Sequence, residues 1–484
     1  MTPFLLFAFV IAYFLLLLFV AWFTGRNSNN ESFFIGNRNS NWVLVAFGMI
    51  GTSLSGVTFV SVPGAVAKDS FSYFQITLGY LIGYVVIAYV LLPLYYRLQL
   101  TSIYNFLSAR LGVVSYKTGA SFFILSRTLG ATARLYLVVR ILQDAILENL
   151  GIPFWATTLI ILTMIILYTY QGGVKTIVWT DTLQTTCMLG GLVISVIYIL
   201  HIMHLTIPQS ILAMGEKGYT KIFFTNPFGK SFYVKQILAG AFISITMTGM
   251  DQEMMQKNIS VKKLGDSQKN VMTMATVMLF VILLFLFLGG LLYLFAGQQQ
   301  VFATGDKLFP TIALHYMPPF VGIIFIIALI SALFPSADGA ITALTSSFCI
   351  DILAMNSKVN WSEQKKKTTR HIVHLSFAAL FLLFVMIYKW VNNPSMISVI
   401  LKIAAYTYGP LLGLFAFSIL TKRAVADKYV PFICVASPVI CYVLDSFQKQ
   451  LFGTFEIGLE LLIINGLFTF IGLLFISKSP STGK

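Results

Sequence analysis

Apolar residues along this 484-residue chain fall in long unbroken runs, not in the three-and-four spacing of an amphipathic helix or the alternation of a half-buried strand. A helix of roughly 20 apolar residues crosses the ~30 Å hydrocarbon core of a bilayer. Runs near that length number about thirteen: 4–23, 42–66, 72–98, 116–145, 152–170, 181–203, 232–253, 271–297, 316–350, 371–390, 396–420, 429–447 and 457–477. Short polar segments separate them. The pattern predicts an all-α membrane protein whose residues 1–484 form a single polytopic transmembrane domain.

The first run, Phe4 to Phe19, has no basic segment before it, and Thr24-Gly25-Arg26 stands where a small-residue cleavage site would close a signal peptide. It reads as a retained helix whose basic flank faces the cytoplasm, with the N-terminus outside.

Composition agrees: 57% hydrophobic residues, 10% charged and a mean hydropathy of +0.84 leave more apolar surface than a soluble core can hide. The net charge of +15 changes the picture only through its placement. Basic clusters fall in alternate loops, at Arg97/Arg110/Lys117, Lys257/Lys262/Lys263/Lys269, Lys358/Lys365/Lys366/Lys367/Arg370 and Lys422/Arg423/Lys428, while loops 67–71 and 298–315 are nearly neutral. That alternation orients every span and puts Lys484 in the cytoplasm. Each cluster reads as a solvated, orientation-setting loop, so the expected surroundings are a lipid bilayer and no nucleic acid. Cys187, Cys349, Cys434 and Cys441 show no CxxC spacing, so neither disulfides nor a metal site is expected. No HExxH or GxxxxGK motif occurs, and no paired His/Asp cluster or nucleophile motif supports an enzyme. What remains is a mechanism driven by an ion gradient.

Four polar interruptions carry the chemistry. Ser331-Ala-Leu-Phe-Pro-Ser-Ala-Asp-Gly-Ala340 places Asp338 inside an apolar helix, where an ionised carboxylate costs ~2.5–3.5 kcal/mol at mid-bilayer depth. Ala332, Pro335, Ser336 and Gly339 share one face of that helix. Pro335 removes an N–H, which leaves the Ser331 carbonyl without its helical partner. A freed carbonyl beside Ser336 suits a hard cation; a packed kink is the alternative. The segment Gly48 to Gly64 collects four glycines with Ser53, Ser55, Thr58, Ser61 and Pro63. It reads as an interrupted helix that offers bare carbonyls and amides, or as a small-residue packing face.

In Tyr170 to Gln184, a Gly-Gly turn ends one span and Asp181, with Thr182, Thr185 and Thr186, opens the next from the cytoplasmic side. Asp181 is read either as a site residue or as a helix cap. Arg127 and Arg134 are seven residues apart and stack on one face, with Arg140 further along. A guanidinium grips carboxylate or phosphate bidentately, whereas one near a span end can snorkel to the interface.

Taken in order, these segments resemble the sodium:solute symporter family, which includes the sodium/glucose, sodium/proline and sodium/sialic acid transporters. The resemblance runs through Phe33-Phe-Ile-Gly-Asn-Arg38, Thr101 to Gly112, Gly172-Gly173 to Gln184, Gly249-Met-Asp-Gln-Glu-Met-Met-Gln256, Ser331 to Asp351 and Lys402 to Gly413. It implies a leucine-transporter-type inverted repeat of five plus five helices. The first repeat would span 42–203 and the second 232–420, with one extra helix in 1–30 and two in 429–477. It also implies a sodium site at Gly51, Leu54, Ala332, Pro335 and Ser336, with Pro335 standing where similar transporters carry a hydroxyl. A second sodium site is implied at Asp181, with Asp338 and Gly339 in the neighbourhood of its other ligands, so Asp181 and Asp338 are expected to flank a shared cation. Ser53, Ser55, Thr58 and Gln75 map to substrate-facing positions, and Arg127 or Arg134 would hold a carboxylate.

The expected activity is sodium-coupled symport of a small polar solute into the cell by alternating access, a sugar or sugar acid such as sialic acid being favoured. Amino acids or other carboxylates are alternatives, as is a transporter-like membrane sensor acting with a separate signalling partner. Sodium is the coupling ion and no cofactor is expected. A monomer in a bacterial inner membrane fits the compact length, small outer loops and short tail.

Overall fold

The structure is a computed structural model that describes residues 3–24, 33–34, 38–358, 360–391 and 395–478, without the side chains of 3, 170–173, 175, 356 and 391. The basic flank after Thr24, residues 35–37 of the Phe33–Arg38 motif and the tail to Lys484 lie outside the described residues. Helices occupy all thirteen apolar runs. Eight of the described helices are long and apolar enough to cross a membrane alone, or ten when each of two bent pairs counts as one span.

The main helices are α1 (Pro3–Thr24), α2 (Trp42–Ser53), α3 (Gly56–Asp69), α4 (Tyr73–Val86), α5 (Val113–Leu142), α6 (Phe154–Ile202), α7 (Tyr233–Ser244) and α8 (Gln252–Ile259). They continue as α9 (Leu264–Gln298), α10 (Pro319–Ser347), α11 (Glu363–Val391), α12 (Met396–Thr407), α13 (Gly409–Leu420), α14 (Val430–Ser446) and α15 (Leu461–Phe475). A two-residue antiparallel pairing of Ala424–Val425 with Ser477–Lys478 ties the start of α14 to the end of α15.

α10 forms the axis of the molecule. Every residue from Ala328 to Ser347 is buried, as expected of a helix apolar on all sides. It packs against α1, α2, α3, α5, α6 and α11. α1 touches it through Tyr13, whose hydroxyl accepts a 2.7 Å hydrogen bond from Ser331.

Two of the predicted runs are broken. The run 42–66 bends by 53° between α2 and α3, with Leu54 at φ −91°, ψ 58° and Ser55 extended in ψ at 169°. Both readings of this glycine-rich segment are realised. Gly48 and Gly51 bring α2 close to α6, since a Cβ on Gly48 would lie 3.0 Å from Asp181 Cβ and one on Gly51 3.3 Å from Thr185 Cβ. Ser53 to Gly56 form the interruption itself. The run 232–253 is also interrupted. α7 winds into a π turn at Ile245–Gly249, Asp251 is extended, and α8 starts at Gln252.

α6 keeps helical backbone for 49 residues, far more than one bilayer crossing requires. Thr157 bonds Gln143 near the end of α5 and Tyr168 reaches Asp338. Further on, Asp181 abuts Gly48, while a Cβ on Gly191 would meet the Ile324 carbonyl on α10. The segments before Thr169 and after Thr176 both pack along α10, while the backbone between them, where the Gly-Gly turn was expected, is helical.

α4 and α7 meet through glycines. A Cβ on Gly79 would lie 2.8 Å from the Ala241 nitrogen, and one on Gly240 3.0 Å from the Ile76 carbonyl carbon. Small residues permit such backbone contact where lipid supplies no hydrophobic drive between helices. Gly240→Val should cost at least ~1–3 kcal/mol by overpacking, read as a lower Tm in detergent; an unchanged Tm would show that the two helices part freely.

Candidate functional site

The break between α2 and α3 opens on a cavity of about 100 Å³ lined by Thr52, Ser53, Leu54, Ser55 and Thr58, by Tyr73, Tyr80 and Tyr84 of α4, and by Arg127 and Arg134 of α5. Ser244, Met247, Thr248 and Met254, on either side of the second interruption, complete its far wall. Both interruptions thus face one space. At the first, the helix ends at Ser53, so the carbonyls of Gly51, Thr52 and Ser53 lose their helical donors; Ile50 alone of the last four receives one, from Leu54 N–H at 2.8 Å. α3 starts without a side-chain cap, leaving amide donors at the cavity. At the second, Asp251 caps α8 itself, accepting from Glu253 N–H at 3.0 Å and Met254 N–H at 3.3 Å.

The two arginines on one face of α5 differ in their partners. Arg127 bonds the Glu253 carboxylate and lies 3.8 Å from Asp251, which also accepts a 2.8 Å bond from the Tyr408 hydroxyl. Its charge is matched before any solute arrives. Arg134 makes no ion pair among the described residues and faces the cavity beside Tyr73 and Tyr80, whose hydroxyls lie 3.4 Å apart.

Beneath the cavity lies an ionic cluster that rearranges several expectations. Lys257 is not a solvated loop residue: it is 3% exposed, and its ammonium donates to Asp181 and to Thr52 Oγ1, each at 2.7 Å. It also stands 3.7 Å from Glu253, four residues earlier on the same helix. An amino-acid cation thus stands directly beside Asp181. Asp338 accepts from Tyr168 Oη at 2.7 Å and from Gly339 N–H at 2.5 Å. Gly339 lacks a side chain for a steric reason, since a Cβ there would lie 2.8 Å from the Glu253 carboxyl carbon. Arg370, also assigned to a solvated loop, is buried with its guanidinium 4.3 Å from the Phe33 ring centre.

Ala332, Pro335 and Ser336 are buried on α10, which packs on both halves of the broken helix. The Ser336 hydroxyl donates to the Leu333 carbonyl at 2.8 Å. Gln75 does not face the cavity. Its amide donates to the Ser72 and Ser231 carbonyls and accepts from Phe224 N–H, so it fastens a loop.

Sequence reasoning missed Lys257, Glu253, Asp251, Tyr168 and Tyr408 as site residues. The i, i+4 spacing of Glu253 and Lys257, just after a glycine within an apolar run, was the available signal.

Interrupted helices around a polar cavity are a feature of secondary transporters. The chain belongs to the sodium:solute symporter family, whose model matches residues 33–427. It is a transporter and not an enzyme, and sodium is its coupling ion. It is 24% identical over 472 residues to the sodium/sialic acid symporter NanT of Aliivibrio fischeri, covering 93% of this chain and 89% of that one. It is also 24% identical over 425 residues to the mouse sodium-coupled monocarboxylate transporter 1, covering 84% and 67%. Its fold matches the substrate-bound, outward-open structure of a Na+-coupled sialic acid symporter with a TM-score of 0.84 at 21% identity, over 98% of this chain and 99% of that one.

Breaking a buried ion pair by removing one partner costs ~3–5 kcal/mol. Arg127→Gln should lower Tm strongly, and Arg127→Gln with Glu253→Gln should recover most of the loss. Equal Tm in the single and double variants would show that the pair contributes nothing.

Proposed function

We propose that this chain carries a small carboxylate-bearing solute, a sialic-acid-like sugar acid, into the cell together with sodium. The observation that carries this reading is Arg134: a guanidinium in the cavity with no ion pair among the described residues, while its neighbour Arg127 is neutralised by two acids. A cation facing a low-dielectric cavity without a counter-ion is costly, and a substrate carboxylate supplies one. The uncapped start of α3 adds amide donors that favour an anion. Ser53, Ser55 and Thr58 offer hydroxyls for a polyol. The similarity to a sialic acid symporter and a monocarboxylate transporter points to the same functional group.

Sodium binds, on this reading, between the freed carbonyls at Gly51 and Leu54 and the α10 residues Ala332, Pro335 and Ser336. The corresponding interruptions at Leu54–Ser55 and Met250–Asp251 support a five-plus-five inverted repeat over 42–203 and 232–420, within thirteen spans that include flanking helices in 1–30 and 429–477. The basic loops support an outside N-terminus and a cytoplasmic C-terminus in a bacterial inner membrane, and a cavity lined from both proposed repeats within one chain is compatible with a monomer working alone.

The test is thermal stabilisation of purified protein, since a ligand that binds the folded state raises its Tm. Sialic acid with sodium should stabilise the wild type, its uncharged methyl ester should not, and Arg134→Gln should lose the effect. Stabilisation by the ester as strong as by the acid would reject the carboxylate assignment. For the ion, Ser336→Ala should raise the sodium concentration for half-maximal uptake on the order of tenfold, the size of a lost bond to a charge; an unchanged sodium dependence would remove Ser336 from the site.

A further inference from the structure

The ionic cluster beneath the cavity holds more acid than base. Asp181, Asp251, Glu253 and Asp338 are all buried, against the cations Lys257 and Arg127. Arg127 is engaged by Glu253 and Asp251. The other cation is held as a bound ion would be. Oxygens from three separate helices surround the Lys257 ammonium: Asp181 Oδ2 from α6 at 2.7 Å, Thr52 Oγ1 from α2 at 2.7 Å and Glu253 Oε1 from α8 at 3.7 Å. Asp338 approaches the same region from α10, tethered by Tyr168. Two further buried oxygens, Asp181 Oδ1 and Thr185 Oγ1, have no hydrogen-bond partner among the described residues.

We propose that the Lys257 ammonium is the resident cation of this acidic site, filling in covalent form the place of a free monovalent cation, so that transport couples to a single sodium ion. An ammonium and a sodium ion carry the same charge, and both are satisfied by carboxylate and hydroxyl oxygens. While the lysine is present, the site's charge is answered and the space beside Asp181 is taken. Once it is removed, Asp181 Oδ1 and Oδ2, Thr52 Oγ1 and Glu253 Oε1 are left as hard oxygen ligands with uncompensated charge, a set that takes up a free cation. The lysine also spans α8 to α2 and α6, so it fixes the two interrupted helices relative to the Asp181 helix in every cycle, without waiting for an ion to bind.

This rests on the reading of the chain as a sodium-coupled carrier, and the experiment separates the two. Equilibrium binding of radioactive sodium to purified protein counts ions per chain, and the sodium-to-solute ratio in proteoliposomes counts those transported. The wild type should bind and transport one. Lys257→Met, which keeps the side chain's apolar stem, should bind two, and Lys257→Met with Asp181→Asn should return to one. If the single variant does not fold, the double variant, which removes both members of the pair, keeps the count measurable and should again give one. A wild type that binds two sodium ions, with one lost in Asp181→Asn, would overturn the lysine assignment alone. A folded Lys257→Met that still binds one would do the same. A wild type that binds no sodium would remove the coupling reading itself, and this inference with it.

Discussion

Within a bilayer a helix cannot simply stop, because the carbonyls and amides it releases have no water to receive them. The molecule is organised around two places where helices stop nonetheless, Leu54–Ser55 and Met250–Asp251. Both are enclosed by protein, and α10, buried along its whole central length, shields the first of them. The two ends are completed differently. Asp251 turns back to cap its own helix, so the second interruption is closed chemically. The first has no cap and keeps its carbonyls and amides directed at a cavity, where an ion and a solute can complete them.

Charge follows from the same constraint. Carboxylates and guanidinium groups at this depth survive only when paired, and the structure pairs them across helices: α5 with α8 through Arg127 and Glu253, and α6 with α8 through Asp181 and Lys257. These links tie the interrupted segment to its surroundings below the cavity. Arg134 is the exception, and its position beside the tyrosines of α4 is where a solute's charge is needed. A structural role for one arginine and a recognition role for the other, a turn or two apart on one face, separates folding from specificity.

Close helix contacts complete the framework. Gly79 and Gly240 let α4 and α7 touch backbone to backbone, Gly48 and Gly51 make room on α2 for the Asp181 and Thr185 side chains of α6, and Gly339 makes room for Glu253. Such contacts replace the hydrophobic drive that is absent between helices in lipid.

Much of this was legible along the chain. Thirteen apolar runs announced helices because the solvent is hydrocarbon and length alone distinguishes a span. The interruption at Ser53–Gly56 showed as small and polar residues where none belong, and Arg127 and Arg134 showed a shared face through their spacing. What the chain could not show is which partner each charge meets. Lys257 looked like one more basic loop residue, because hydropathy averages over a window and the lysine follows the end of an apolar run; only the fold carries it 3% exposed onto Asp181, 76 residues away in sequence. Gln75 looked like a cavity residue and instead binds loop carbonyls. Spacing within one helix determines which residues share a face, but the identity of the opposing face is a long-range property. The sequence therefore determined the spans, their interruptions and the residues that carry charge, while the tertiary structure alone decided which charges neutralise one another and which one is left for the solute.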